Sequence, residues 1–544
     1  MKSRAKKYKP TRNIGTGLTA LFLVLCVTGC TNVRSLREPQ LEALAGKLDH
    51  IETVQLKEQS KSAPTSIEQA TEQAAKSASE PNVVQPMLSL TLEEVRAAAL
   101  ANNLDLKVEL INPSIAQQSV DAERAKFESV FFGSANYARA KPADGDEFSF
   151  RSYEAGVEVP LQTGGSVTAS VPVEDVGGVS DAAVSVSYIQ SLLRGAGTRV
   201  NMYSIRVAMY QKGLVDTGTK LSAIRTLAGA DTAYWELYSA RKQLDVLREQ
   251  YKLAQNQLKH ARSKVNAGSA PRIEIVRAES GLAGRLEAVI SAETEVRNAE
   301  RELKRIMNRK DLPLDSPTGL IAMTEPDPKG LDLDPEALVK AAMDNRMEMA
   351  QLEMRSAVDE INVQVARNNT LPQLTLNYAY TAGRQSGSID GDFGDVSDEL
   401  SQDHSIGLNA VVPLGNQAAK ARLRQARLEK IQTEADRQRW QQIIRQDVYQ
   451  ALDSLEQNWR HILAAEQGVG MAYRNYRVEQ LQFQLGQRTS TDVLIAAENL
   501  AGAQLRKINA FAGYEIAQVR LAQATGTLLG RGNIQLPATA TEGS

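Results

Sequence analysis

Cysteine, histidine and aromatic residues are scarce in this sequence of 544 residues. Both of its cysteines, Cys26 and Cys30, lie within the first thirty residues, so the body of the chain offers no disulfide framework and no cysteine-based metal site. The four histidines are scattered and lack the spacing of metal ligands. No Walker-type phosphate loop occurs either. We therefore expect no catalytic site, no cofactor and no metal.

Long hydrophobic runs are also missing after the first thirty residues. A membrane-spanning helix needs about 20 apolar residues, so an outer-membrane protein with this sequence is either only tethered to the membrane or crosses it as β-strands. Charge of one sign does not dominate, since 63 basic residues face 65 acidic ones. A chain with this slightly acidic balance is a poor nucleic-acid binder.

The N-terminus has the order of a secretion signal. A basic segment precedes the short apolar run Leu18–Val27, which is followed closely by Gly29 and Cys30. This arrangement resembles a lipobox, in which the thiol of Cys30 accepts a lipid; the alternative is an ordinary signal with an incidental cysteine. Thr31 is unlike the aspartate that retains lipoproteins in the inner membrane. We therefore expect a lipid-anchored protein of the cell outer membrane with a large periplasmic part.

The body of the chain is duplicated. Ala99–Leu106 aligns with Ala342–Met349 at an offset of 243 residues (342 − 99), and Gly268 aligns with Gly486 at an offset of 218 (486 − 268). The smaller second offset means that the first half contains 25 extra residues (243 − 218) between these points. The region around 150–180 is rich in glycine and is the expected place for them.

Duplication and composition together divide the chain into six segments. These are a signal peptide (1–29), a lipid-anchored segment with a flexible linker (30–86), a first repeat (87–310), an inter-repeat linker (311–334), a second repeat (335–530) and a flexible C-terminal tail (531–544). Each repeat is expected to contain a helix, strands and two long helices.

Apolar residues recur at alternating spacings of three and four in both repeats, which is the heptad pattern of packed helices. In the first repeat the pattern runs from Leu237 to Val265 and, after a break, on to Ile306; the second repeat has it from Leu455 to Phe483. A helix of about 60 residues reaches about 90 Å. No compact globule needs helices of that length, so we predict long helical hairpins.

Other segments alternate between apolar and small polar residues. Residues 184–188, 374–380 and 406–412 all do so. An apolar face backed by a polar face is typical of a water-filled barrel in lipid, although a half-buried soluble sheet alternates in the same way. Since bacterial barrels begin at about eight strands, the strands of one chain cannot close a barrel and several chains are required.

An additional hairpin is predicted in the first repeat. Residues 153–173 contain two alternating runs joined by Thr163-Gly164-Gly165. Its position matches that of the extra residues in the first half. Whether this hairpin joins the barrel is open, and so is the number of strands.

Three motifs carry a resemblance to a known family. They are Leu192–Gly197 (LLRGAG) after a strand, Val412–Leu414 (VPL) at the equivalent place, and Gly486–Leu494 (GQRTSTDVL). Together with the duplication, residues 87–530 resemble the TolC-like outer-membrane efflux proteins, although Ser191 stands where this family often has proline. The resemblance implies a mostly α fold with β: a trimeric outer-membrane β-barrel with about four strands per protomer, continued by a long periplasmic coiled-coil tunnel.

The resemblance also implies a function. The chain would be the outer-membrane channel of a tripartite efflux or type I secretion system, conducting substrates passively. Its expected partners are two further copies in a homotrimer, a periplasmic adaptor (membrane fusion) protein, an inner-membrane transporter of the RND or ABC type, and outer-membrane lipid. The alternative is a non-transport periplasmic coiled-coil lipoprotein, which would need no strands.

The two helix-to-helix turns contain the candidate functional residues. The resemblance places four residues in a periplasmic gate: Glu274, Phe483, Arg488 and Asp492. Four small residues allow close approach of the adaptor: Gly268, Ser269, Gly486 and Ser490. Where copies converge, we expect Arg488 to pair with Glu274 of a neighbouring helix.

A purely structural interpretation of the same turns stays open. Glu274 and Asp492 lie in first helical turns, where the helix dipole favours a carboxylate. Thr489-x-x-Asp492 also has the form of a capping box.

Overall fold

A computed structural model of the chain describes residues 86–141, 148–176, 179–386, 401–485 and 487–531. The predicted signal peptide, the predicted lipidation site Cys30 and Gly486 lie outside these residues. None of the helices in the described ranges is both long and apolar enough to cross a membrane.

The first half of the described chain contains five strands and six α-helices. In chain order they are β1 (Met87–Leu90), α1 (Leu92–Asn102), α2 (Leu104–Glu109), α3 (Asn112–Arg124), β2 (Val130–Ala140), β3 (Phe148–Leu161), β4 (Gly165–Val176), β5 (Val179–Ser191), α4 (Thr198–Asn201), α5 (Tyr203–Asn266) and α6 (Ile273–Met307). A short 3-10 turn, Ala125–Phe127, separates α3 from β2.

The second half repeats this order with fewer strands. Its elements are β6 (Gly319–Ala322), α7 (Pro335–Asn345), α8 (Met347–Asn368), β7 (Gln373–Ser386), β8 (Ser401–Val411), α9 (Gln417–Gln484), α10 (Ser490–Ala524) and α11 (Leu528–Arg531).

Equivalent elements of the two halves are separated by the same offsets that the sequence alignment gave. Helices α1 and α7 begin 243 residues apart (335 − 92), and so do strands β2 and β7 (373 − 130). Helices α5 and α9 end 218 residues apart (484 − 266). Strand β7 pairs directly with β8, whereas hairpin β3–β4 separates β2 from β5 in the first half. The hairpin lies where the sequence places the extra residues. The predicted internal duplication is thus confirmed.

The long helices have the predicted length and packing. Helices α5 and α9 contain 64 and 68 residues, so each is about 100 Å long at about 1.5 Å per residue. The seam between α5 and α6 is buried at the predicted heptad positions, which include Leu244, Ala254, Leu258, Val289 and Val296. Alanines in this seam let the two antiparallel helices approach closely.

Two larger apolar cores lie further along the helices. The first packs Tyr234 and Trp235 of α5 against Leu303 and Met307 of α6. The Tyr234 hydroxyl accepts a hydrogen bond from the Thr324 N–H at 2.7 Å and donates one to the Leu90 carbonyl at 3.2 Å. These bonds attach the short parallel pair β1–β6 to the helices. The second core combines residues of α7 to α10, including Ile444, Val448, Leu455 and Tyr514.

The main sheet has six antiparallel strands in the order β2-β3-β4-β5-β7-β8. The predicted hairpin at 153–173 therefore exists, is somewhat longer than its alternating pattern indicated, and lies inside the sheet. The prediction was about four strands per chain with a possible extra hairpin; with the hairpin inside it, the described sheet has six strands. The other edges of β2 and β8 have no partner strand among the described residues.

The sheet has one apolar face and one polar face. A row across all six strands reads Phe131, Val157, Ala169, Val186, Tyr380 and His404. The adjacent row, whose side chains point to the opposite face, reads Val130, Glu158, Thr168, Ser187, Ala379 and Ser405. The alternation predicted from sequence thus runs in register through the whole sheet.

Candidate functional site

The candidate site consists of the two turns that end the long helices. In the first, α5 stops at Asn266 because Gly268 adopts a positive φ of 70°, a conformation that costs glycine little. The Ser269 N–H then donates to the Lys264 carbonyl at 2.9 Å. Pro271 precedes the new helix, where its missing N–H is not needed.

The second turn repeats the hydrogen bond of the first. The Gln487 N–H donates to the Gln482 carbonyl at 2.9 Å, and both residues lie 218 positions after Ser269 and Lys264 (487 − 269 and 482 − 264). Helix α10 then starts with a full capping box between Thr489 and Asp492. The structural interpretation of Asp492 as a cap is therefore correct within the single chain.

Hydrogen bonds within the cap also affect the pKa of Asp492. Its carboxylate accepts from the Thr489 N–H at 2.9 Å and from the Thr489 hydroxyl at 2.8 Å. The backbone bond, followed by the hydroxyl bond, holds the pKa of Asp492 below its ordinary value. Since the folded-state pKa is lowered, the cap is complete above the unfolded-state pKa and is lost as pH falls through the folded value.

Replacing Thr489 by alanine is expected to fray the first turn of α10. An N-cap contributes typically about 1 kcal/mol, so the amides of the first turn should exchange roughly fivefold faster when that contribution is lost. Hydrogen exchange followed by mass spectrometry measures this rate. Thr491→Ala is the matched control because this hydroxyl takes no part in the cap. Equal rates in the two variants would contradict the capping assignment.

Two contacts join the turns to each other. The Ser490 hydroxyl donates to Glu274 at 2.5 Å, and Glu274 also pairs with Arg277 at 2.9 Å. The Lys264 ammonium lies over the Phe483 ring, 3.9 Å from its centroid, a cation–π distance. Thus the predicted residues Glu274, Phe483 and Ser490 meet in one region.

Arg488 does not pair with Glu274 within the chain. Its Nε donates to the Gln482 amide oxygen at 3.0 Å and lies 3.3 Å from a carboxylate oxygen of Glu479. That oxygen is buried and forms no hydrogen bond, so the contact with Arg488 is electrostatic only. A pairing of Arg488 with Glu274 of another copy stays a prediction.

Sequence reasoning missed three residues of this region: Lys264, Glu479 and Gln482. Lys264 and Gln482 occupy equivalent positions of the two repeats, so the offset of 218 residues pointed to them as a pair. Glu479 carried no such signal, because its contact with Arg488 depends on how the chain leaves α9. In the described part of the chain, no group of three or more His, Cys, Asp or Glu residues is arranged to hold a metal ion.

Comparison with known proteins connects this architecture to one family. The family model described as "Outer membrane efflux protein" matches residues 338–527. "Outer membrane protein TolC" of Vibrio cholerae is 25% identical over 302 residues, a match to 54% of this chain and 66% of that protein. This chain therefore spans slightly less than two thirds of that relative.

Two further comparisons extend over most of the chain. "Outer membrane efflux protein BepC" of Brucella suis is 23% identical over 445 residues, 82% of this chain and 87% of that protein. The CmeC outer membrane channel of Campylobacter jejuni has a TM-score of 0.63 at 17% identity and covers 80% of this chain and 86% of its own. The structural likeness shows the fold. Fold, motifs and relatives agree in indicating a TolC-like outer-membrane efflux protein.

Proposed function

We propose that this outer-membrane protein is the passive channel of a tripartite efflux or type I secretion system. The observation that carries the proposal is the combination, in one chain, of helices about 100 Å long and a two-faced sheet whose edge strands have no outer partner among the described residues. The sheet suits a water-filled wall in lipid, and the helices suit a tunnel that bridges the periplasm. Such a duct conducts what a separate, energised transporter delivers, and it performs no catalysis itself.

The active form in this proposal is a homotrimer. The outer edge of β8 in one copy would pair with that of β2 in the next, which would satisfy the free backbone groups of both edges. Helix α9 supports the same arrangement, because it leaves large apolar side chains exposed on a single chain. They include Leu428 (66% exposed), Tyr449 (45%), Leu463 (48%), Met471 (62%) and Val478 (51%).

These α9 residues have the spacing of a seam. Leu428, Tyr449 and Leu463 are separated by multiples of seven residues, and so are Met471 and Val478. Repetition every seven residues is what a helix shows along a packed partner. We infer that neighbouring copies cover this stripe.

The helix-to-helix turns would face the other components of the system. Gly268, Ser269 and Ser490 are small, and Gly268 and Ser269 are exposed, so these residues suit contact with a periplasmic adaptor. Gly486 belongs to the same proposal by sequence. An inner-membrane transporter of the RND or ABC type would supply the substrate, and a lipid on Cys30 would anchor the chain in the outer membrane.

Planar-bilayer recording of the purified protein tests the channel proposal. A trimer that resists SDS and conducts ions in steps is the expected result. The alternative, a non-transport coiled-coil spacer, predicts a protein without heat-modifiable migration and without conductance. The six-stranded amphipathic sheet favours the channel, since a spacer needs no such sheet.

The gate proposal gives a separate prediction for Arg488. Arg488→Ala removes the contacts with Glu479 and Gln482 that hold the second turn, and it removes the side chain available to Glu274 of another copy. We expect a higher single-channel conductance and greater entry of large antibiotics into cells. Arg460→Ala is the matched control, because Arg460 pairs with Glu456 of its own helix. Unchanged conductance in Arg488→Ala trimers would contradict the gate assignment.

A further inference from the structure

The hairpin β3–β4 is an integral part of the sheet. It lies between β2 and β5: β3 pairs with β2, and β4 pairs with β5, over most of their length. Its own turn is tight, with Gly164 at a φ of 92°. The hairpin thus has the position of two additional strands of the barrel wall.

The apolar face of the hairpin continues that of its neighbours. Tyr153, Val157 and Val159 of β3 and Val171 of β4 are all more than one third exposed in the single chain. By register they share a face with Phe131 of β2. A hairpin folded into the lumen as a plug would not need this lipid-compatible face, so its side chains fit a place in the barrel wall.

The number of strands determines the width of the lumen. Three copies with six strands each provide eighteen strands, compared with about twelve in the arrangement that the family resemblance implied. Barrel diameter grows roughly linearly with strand number, and barrels of 16–18 strands leave an aqueous channel. The hairpin would therefore widen the barrel by roughly one half.

The polar face of the sheet carries charge of a single sign. By register it presents five carboxylates: Glu154, Glu158, Glu174, Asp181 and Asp403. The described side chains on this face include no lysine or arginine. Three of the five carboxylates belong to the extra hairpin. Among the described residues, none of the five forms an ion pair with a basic side chain.

One pair of these carboxylates is unfavourable for the sheet itself. Glu174 of β4 stands directly opposite Asp181 of β5, and like charges in that position destabilise a pair of strands. The basic residues Arg139 and Arg151 lie on the other face by register. The arrangement is easier to understand if cations in the lumen screen the two carboxylates.

We propose that the hairpin makes the barrel both wide and cation-preferring, so that this channel is suited to large or cationic solutes. The inference rests on the proposed function, because it needs the trimer to place the polar faces around one lumen. Rings of Asp and Glu select cations in other pores. Here the carboxylates line the barrel, far along the chain from the candidate gate at the helix-to-helix turns.

The decisive experiment compares two triple variants of the full-length trimer in planar bilayers. One is E154Q/E158Q/E174Q, which removes the hairpin charges; the other is E154D/E158D/E174D, which keeps them. Reversal potentials are measured in a KCl gradient. We expect the cation-to-anion permeability ratio to fall severalfold in the Gln variant, to stay near that of the unmodified protein in the Asp variant, and conductance to change little in high salt, where charge is screened.

Two outcomes would overturn the inference and leave the proposed function intact. One is a conducting trimer whose cation preference is the same in the Gln variant. The other is a trimer with twelve strands by electron cryomicroscopy, since the hairpin would then lie outside the barrel wall. A protein that forms no trimer and conducts nothing would instead contradict the proposed function itself.

Discussion

Replacing Asp231 by alanine is expected to lower the free energy of unfolding by about 3–5 kcal/mol, the range for breaking a buried ion pair. The Arg96 guanidinium donates two hydrogen bonds to this carboxylate, each 2.7 Å long. The Asp231 side chain is fully buried, and that of Arg96 is only 17% exposed. Without Asp231, the guanidinium would be left with its charge unmatched next to the first apolar core.

The effect of this pairing is visible in the pKa of Arg96. The hydrogen bond to Asp231 is the largest influence on Arg96 and raises the pKa of its guanidinium, against the opposing effect of burial. The pair also joins α1 to α5, two elements 135 positions apart in sequence. Its loss would therefore loosen the packing of α1 on the long helix α5.

Chemical unfolding of the detergent-solubilised protein, followed by circular dichroism, measures this effect. Glu302→Ala is the control, because Glu302 and Arg305 form an exposed pair three positions apart on one helix, and such pairs contribute at most about 1 kcal/mol. The double variant Arg96→Met/Asp231→Leu should recover most of the stability, since it leaves no buried charge. Similar losses for Asp231→Ala and Glu302→Ala would contradict the argument.

Periodic features of this fold could be predicted from the sequence because they are local. Apolar residues recur at spacings of three and four in the seam that contains Leu244 and Val289, and at spacings of two in the strand around Leu376. Each spacing matches the geometry of one element, whatever that element packs against. The duplication provided further evidence for these predictions, because equivalent positions of the two repeats are expected to have the same secondary structure.

Contacts between distant segments could not be predicted in this way. Nothing in the sequence near Arg96 indicates Asp231, and nothing near Arg488 distinguishes Glu479 from the other acidic residues of α9. The hairpin is intermediate: its alternating pattern and its Thr163-Gly164-Gly165 turn predicted two strands. Their place between β2 and β5 depends on long-range pairing, which the pattern does not specify.

The second large effect on stability is expected when the glycine in the turn of this hairpin, Gly164, is replaced by alanine. The Gly197 N–H donates to the Thr163 carbonyl at 2.9 Å, and the Ser191 N–H donates to the Gly164 carbonyl at 3.2 Å. The amide of Asn201 donates to the carbonyls of both glycines of the adjacent motif, Gly195 and Gly197, at 2.8 Å. The LLRGAG motif is therefore a connection in which the hairpin turn, the end of β5 and the start of the helices meet.

Gly164→Ala is expected to lower the free energy of unfolding by about 2–5 kcal/mol, the sum of a left-handed backbone penalty and overpacking. A Cβ at Gly164 would lie 2.0 Å from the Gly195 carbonyl oxygen and 2.5 Å from the Asn201 amide nitrogen. Gly197→Ala is the matched control, because Gly197 has the same φ of 92° but no atom within 4 Å of an added Cβ. This control should cost about 1–3 kcal/mol, the penalty for a positive-φ conformation that side chains rarely adopt.

The two variants separate a clash from backbone strain, and they also report on assembly. If the turn holds the hairpin in the barrel wall, Gly164→Ala trimers should dissociate in SDS at a clearly lower temperature than Gly197→Ala trimers. Gel migration over a temperature series measures this difference, and chemical unfolding in detergent measures the free energies. Identical behaviour of the two variants would mean that the packing around Gly164 adjusts freely, and the hairpin would then not be fixed to the LLRGAG connection.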